Sequence, residues 1–308
     1  DTQAWHAYMA VAPDAEDIHL LASAKAKLFA AREQRIRPGL DDKILTSWNA
    51  LTIKGLARAG YVFNRKDWIK LAQDATDFIR NHLWVNTAGA YQLLATAKGD
   101  KVHLNAYLDD HAFLLDALIE LLQADYRSID MQFAEEIAEA LLENFEANDG
   151  GFYFTANHHE QLIHRTKQGY DNATPSGNGI AAIALQHLGH MLGEPRYLQS
   201  AERALQAFDT VIKRNPAACA SFTQALNEYL TPPTMVILRG ESKQLADWQH
   251  ELSQYHYPHH LFFYLDDTVS SLPITLHRNL LANVNAWVCK GVVCSQGIDN
   301  LQDLLAQI

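Results

Sequence analysis

The chain has 308 residues, 48% of them hydrophobic and 20% charged, with a formal net charge of −11 at pH 7. That composition is ordinary for a soluble globular protein, and the length allows about two domains. An acidic balance without a basic stripe excludes nucleic-acid binding driven by phosphate neutralisation. No apolar run approaches the roughly 18 residues of a membrane span, so no membrane is expected. Three cysteines, Cys219, Cys289 and Cys294, are too few for a disulfide framework and fit a reducing compartment, with cytoplasm the default. The chain opens on Asp1 without a targeting pattern and reads as a fragment of a longer protein.

In chain order, an opening helix is predicted across 17–35. A hairpin follows, its first helix after Ser47 as cap, turning at Gly60 into "DWIKLAQDATDFIRNHL". There Trp68, Leu71, Ala72, Ala75, Phe78, Ile79 and Leu83 recur at three- and four-residue steps, the mark of an amphipathic helix. "NTAGAYQLLATAKGDKVHL" reads as β-hairpins or long loop. A second hairpin is capped by Asp109 or Asp110, turns at Asp125 and returns through "DMQFAEEIAEALLENF". After the Gly-initiated "ANDGGFYFTANHHEQLIHR", a third hairpin starts at Thr174 with Pro175 in the first helical position and turns at Gly193. Its return helix places Tyr197, Ala201, Ala204 and Phe208 129 positions after Trp68, Ala72, Ala75 and Ile79. The same shift carries Asp42, Ser47 and Asn49 onto Asp171, Ser176 and Asn178. With the middle copy halfway between, the period is about 64 residues, an array of α-hairpins. A further helix across 218–230 gives eight helices. Proline then marks a change: "TMVILRG", a helix and "HLFFYLD" form a βαβ-like unit, followed by a strand or two and a closing helix. The domains are therefore 1–230, helical hairpins, and 231–308, a small α/β appendix.

In a ring of such hairpins the first helices run alike, so their N-termini open at one rim and offer unpaired N–H groups and partial positive charge to oxygen-rich ligands. The rim would hold Asp42, Ser47, Trp48 and Asn49, then Tyr107, Asp109, Asp110 and His111, then Asp171, Ser176 and Asn178, with Arg165 on the connection. Carboxylates, amides, hydroxyls and an aromatic ring suit a sugar. Two flanking carboxyl groups suit glycoside hydrolysis, and a tuned base suits proton transfer beside a carbonyl. Asp110, with Asp42 or Asp171 opposite, are the candidate catalytic acids; Trp48, Asn49, Arg165, Ser176 and Asn178 are candidate substrate contacts. The plainer readings are capping for Ser47 and Ser176, turn-bracing for Asp42 and Asp171, and a core position for Trp48. His111 reads as satisfied structure, and His158, His159 and His164 as unlikely metal ligands. Cys289 and Cys294, in "VCKGVVC", read first as buried structural thiols, ahead of a redox or disulfide pair or a metal site. Nothing calls for a metal or cofactor.

"AAREQRIRPGLDDKILTSWNALTIKGLARAG", "LDDHAFLLDALIELL", "GGFYFTANHHEQLIHRTKQGYDNATPSGNGIAAIALQHLG" and "AWVCKGVVC" resemble the thioredoxin-domain-containing family of spermatogenesis-associated protein 20 and bacterial YyaL-type proteins (DUF255), over nearly the whole chain from about residue 20. The resemblance implies the C-terminal portion of an (α/α)6 toroid similar to N-acylglucosamine 2-epimerases and six-hairpin glycosidases. It also implies a thioredoxin-like domain as partner, absent from this chain. The motif positions carried over are Asp42, Lys43, Trp48, Asn49, Asp110, Arg165, Asp171, Ser176 and Asn178; His111 stands where the pattern has Tyr. The histidine bases of the related epimerases match no position here, and a closed ring needs twelve helices, so part of it is expected upstream. The function expected is a sugar epimerase or isomerase, or a glycoside hydrolase, acting on a sugar or polyol. The alternative is a non-catalytic binding or scaffold module for the thioredoxin-like domain.

Overall fold

The computed structural model describes residues 12–308 except Ala88, Ser270 and Val292. The opening stretch read for targeting signals therefore lies outside the described residues as far as residue 11. Two compact units divide between Asp42 and Lys43. In the first, helix α1 (Ala15–Glu33) starts on a capping box in which Asp14 and Asp17 each accept the other's backbone N–H, at 2.8 and 3.3 Å. None of its residues is buried within the unit.

The second unit, Lys43–Ile308, is mainly helical and built of paired helices. Strand β1 (Ile44–Leu45) leads into α2 (Thr46–Val62), which turns back as α3 (Lys66–Phe78) and ends in a π-helical turn at Ile79–Leu83. Strands β2 (Trp84–Thr87), β3 (Ala90–Lys98) and β4 (Lys101–Asn105) connect to the pair α4 (Leu108–Ala124) and α5 (Ser128–Phe145). A long connection, pinned by one antiparallel bridge between Glu146 and Phe152, reaches α6 (Gly177–Leu192) and α7 (Pro195–Ala207). Short α8 (Asp209–Arg214) and a 3-10 turn at Pro216–Cys219 precede α9 (Ala220–Leu230).

Helices α2, α4, α6 and α9 lie side by side as the inner row, while α3, α5 and α7 pack outside them. Sequence explains the layers. Helix α4 is apolar nearly all round and is buried on nearly every side, whereas α3 and α7 each bury a single stripe. On α3 that stripe is Ile69, Ala72, Gln73 and Thr76, continued by Ile79 in the turn that follows, so Leu71, expected inside, is 55% exposed. The inner row is also cross-braced by charge. Lys54 pairs with Asp116 at 2.6 Å, Arg58 with Glu120 at 2.9 Å, and His187 with Glu228 at 2.6 Å. Outside, Arg127 and Arg80 hold the fully buried Asp130 at 2.6 and 3.1 Å, compensating a carboxylate that would otherwise be costly to bury.

Residues 231–308 adopt the expected α/β pattern. β5 (Thr234–Gly240), α10 (Ser242–Ser253) and β6 (His260–Asp266) form a parallel βαβ unit, Val236 opposite Phe262. Antiparallel β7 (Val284–Lys290) and β8 (Val293–Cys294) extend the sheet in the order β6-β5-β7-β8, and α11 (Leu301–Leu305) follows. The expected change near residue 230 thus falls inside the second unit, where hairpins give way to sheet. The first reading of Cys289 and Cys294 as separate thiols is corrected: the β7–β8 turn sets them directly opposite, and they form a disulfide. Cys219 is a buried free thiol. Among the described residues no helix is long and apolar enough to cross a membrane.

Candidate functional site at the rim of the inner helices

The inner helix starts are tied to one another by carboxylates. Asp110, in the first turn of α4, accepts the Tyr107 N–H of its own helix start at 2.9 Å through Oδ2. Its Oδ1 accepts the Ser47 N–H of α2, also at 2.9 Å. Asp171 does the same one step along the row. Its Oδ1 accepts the Ser176 N–H at 2.8 Å and the Ser221 hydroxyl, and its Oδ2 accepts the Ser221 N–H at 2.9 Å. The starts of α6 and α9 are therefore held by one side chain. Between these two clamps, Asp109 Oδ1 lies against Gly177 where a Cβ would stand, so the glycine lets the Asp109 side chain pack against the start of α6. Four N-termini form one continuous rim.

The helix starts differ in detail from the sequence expectation. Helix α2 begins at Thr46 behind Leu45, so Ser47 is the second helical residue and its N–H is capped from outside. Helix α4 begins at Leu108, which puts Asp109 and Asp110 in its first turn rather than at the cap. Helix α6 begins at Gly177 with Ser176 as N-cap, accepting the Gly179 N–H at 3.4 Å; Thr174 and Pro175 precede it. The core reading of Trp48 is also corrected: facing outward on the first turn of α2, it is 64% exposed.

Asn178 is completely buried and clasps the incoming connection. Its Oδ1 accepts the Phe152 N–H at 2.7 Å, and its Nδ2 donates to Phe152 O at 2.9 Å and Gln168 O at 3.1 Å. Replacing Asn178 with alanine strands these groups in a water-poor site, and we expect a loss of about 2 kcal/mol in urea unfolding. Arg165 lies over the Tyr153 ring at 4.2 Å and donates to the carbonyls of Thr155 and Asn144. Asn49 donates to Leu45 O at 2.8 Å. Asp42 is an exposed residue at the end of the first unit.

The carboxyl groups of the rim titrate apart. Burial, reinforced by neighbouring Asp110, pushes Asp109 up to about 6. It accepts no hydrogen bond among the described residues, so nothing offsets the desolvation, and the helix dipole does not win. Burial also raises Asp110, against the hydrogen bonds from Tyr107 and Ser47. For Asp171 burial acts upward too, but the hydrogen bonds from Ser221 and Ser176 outweigh it and hold the group below the usual carboxylate range. His111 is buried against Phe145 with Nδ1 3.0 Å from Tyr107 O, and burial drives it down to about 4. It is neutral near pH 7.

Asp110 carries the most weight as a candidate acid in the sequence, whereas the unengaged acid in the structure is its neighbour Asp109. Only the doubling of the acid signalled it. The inner row carries charge that the rim motifs do not indicate. Lys54, Asp116, Glu120, His187 and Glu228 line a cavity of about 390 Å³ that reaches the start of β6. Its signal was paired charges four apart, at 54 and 58 and at 116 and 120. Among the described residues no group of three or more His, Cys, Asp or Glu is arranged to hold a metal ion.

No family model matches the chain. It is similar to spermatogenesis-associated protein 20 of Homo sapiens, 28% identical over 295 residues that cover 90% of this chain and 37% of the relative. An uncharacterized protein of Caenorhabditis elegans is 25% identical over 292 residues, covering 91% of this chain and 40% of its own length. The chain thus spans less than half of these relatives. Among solved structures, the GH76 alpha-mannanase BT2949 of Bacteroides thetaiotaomicron superposes with a TM-score of 0.52 at 14% identity, over 76% of this chain and 65% of that one. The cellobiose 2-epimerase of Spirochaeta thermophila gives a TM-score of 0.45 at 19% identity, over 56% and 45%. The likeness to the alpha-mannanase establishes the α/α toroid fold.

Proposed function

We propose that the protein is a carbohydrate-active α/α toroid that hydrolyses a glycoside at the rim of its inner helices, with Asp109 as the proton donor. One observation carries this reading: a half-buried carboxyl, accepting no hydrogen bond among the described residues and pushed up to about 6, lies where α4 meets the start of α6. Such a group holds its proton into the working range of a general acid. Asp171, held ionised where it accepts the Ser176 N–H beside Gly177, would supply the second carboxylate. The like charge of Asp110 adds to the burial that raises Asp109, while Asp110 also pins α2 to α4. Ser176, Asn178, Arg165 and Asn49 hold the rim in shape as positioning residues. Exposed Trp48 offers the flat apolar surface on which a sugar ring stacks. The fold shared with an alpha-mannanase supports a sugar as the ligand class. Isomerisation has less behind it, because His111, the histidine next to the acids, is buried against Phe145 and burial lowers its basicity.

The test is a screen of oligosaccharides for release of reducing ends, with Asp109→Asn as the inactive control. Trp48→Ala should leave unfolding stability within about 0.5 kcal/mol, because its side chain is exposed. The same change should weaken sugar binding about tenfold by calorimetry, a loss of roughly 1.4 kcal/mol. A non-catalytic binding module draws on one fact, that Asp110 and Asp171 spend their oxygens on helix starts and Asn178 its amide on the connection at Phe152 and Gln168. Sugar binding without turnover, unchanged in Asp109→Asn, would select that reading.

A further inference from the structure

We infer that Cys289 and Cys294 form a redox-active pair that exchanges with thiols, with Arg278 as the positioning cation. This rests on the far end of the sheet and is independent of the rim chemistry. The two cysteines face each other across β7 and β8 and are joined as a disulfide. They differ in access: Cys289 is fully buried on β7, while Cys294 is half-buried on the edge strand β8. The Arg278 guanidinium donates through one nitrogen to both sulfurs, at 2.9 Å to Cys294 and 3.5 Å to Cys289. Among the described residues Arg278 forms no ion pair with a carboxylate; its Nη1 donates to His277 O, and its backbone carbonyl accepts from the Arg239 guanidinium.

A cation placed this way gains little from a neutral disulfide. It gains a charge-assisted hydrogen bond from a thiolate. Arg278 therefore stabilises the reduced pair, which makes the disulfide the more oxidising. In the exchange, an incoming thiolate attacks the accessible Cys294 sulfur, a mixed disulfide forms, and Cys289 leaves as a thiolate beside Arg278. A second thiol then attacks the sulfur of the first, releasing Cys294 as a thiolate and leaving the external thiols as a disulfide. Two electrons pass from the external pair into the protein, and the reverse sequence oxidises it again.

The chain is equilibrated in glutathione buffers of graded ratio, alkylated, and the peptide carrying both cysteines weighed by mass spectrometry. A single two-electron transition is expected. Arg278→Gln should make the pair about tenfold harder to reduce, about 30 mV lower in potential. In Cys289→Ser, oxidised glutathione should form its adduct on Cys294, a second readout that does not depend on the Arg278 variant folding. The proposal is overturned if both cysteines alkylate in the native, air-equilibrated protein without reductant. It is equally overturned if Arg278→Gln leaves the midpoint in place, or if no adduct forms on Cys294.

Discussion

Asp109→Asn should make the protein more stable at pH 7 by about 2 kcal/mol while abolishing turnover. The carboxyl releases its proton near 6 when folded, against an ordinary value of 3.8. Its folded form therefore binds protons more tightly than its unfolded form between those two values. Stability must fall as pH rises through that window, and above 6 the full penalty is in place, about 2–3 kcal/mol from the linkage relation. Asparagine removes the charge and the penalty together. Urea unfolding of both proteins from pH 3.5 to 7.5 should show curves that coincide below about 4 and separate by 6. A stabilising helix cap would give the opposite sign, because its removal costs about 1 kcal/mol. Gained stability with lost activity marks a residue kept for chemistry at a structural cost.

Asp171→Ala should be the most damaging single change at the rim, costing about 3–4 kcal/mol. It removes three hydrogen bonds to an ionised acceptor and leaves the Ser176 and Ser221 amides without partners at two helix starts. Hydrogen exchange should quicken at both amides together, since one side chain serves α6 and α9. The pH dependence runs opposite to that of Asp109. Asp171 is held below the ordinary range, so its contribution is complete above about 4 and is lost as acid drives the pH down through its folded value. If the variant unfolds at the same urea concentration as the wild type, the clamp between α6 and α9 contributes nothing.

The hairpin array was legible because apolar residues on successive helices repeat at a fixed shift, and such stripes pack only as layered helices. The βαβ unit after the prolines was legible from two dense β-branched and aromatic runs flanking a polar helix. Side-chain roles were not. Ser47 and Ser176 stand at equivalent places, yet Ser176 is capped by Asp171 from its own loop and Ser47 by Asp110 from the neighbouring helix. Asn49 and Asn178 also match, but one bonds its own helix start and the other grips Phe152. A local pattern specifies that a helix begins, and the adjoining hairpin decides which carboxylate closes it. Trp48 shows the same limit: its helical position is plain in the sequence, but its exposure depends on what packs beside α2. The disulfide depended on a turn that sets residues 289 and 294 opposite, which their spacing alone did not reveal.

Carboxyl-carbon NMR of the protein, following Asp109 Cγ through a pH titration with and without bound oligosaccharide, probes the proposed acid most directly. A midpoint near 6 that moves when sugar binds is the expected result. A midpoint near 4, unmoved by any sugar, would mean that the rim holds helices together and carries no proton to a substrate.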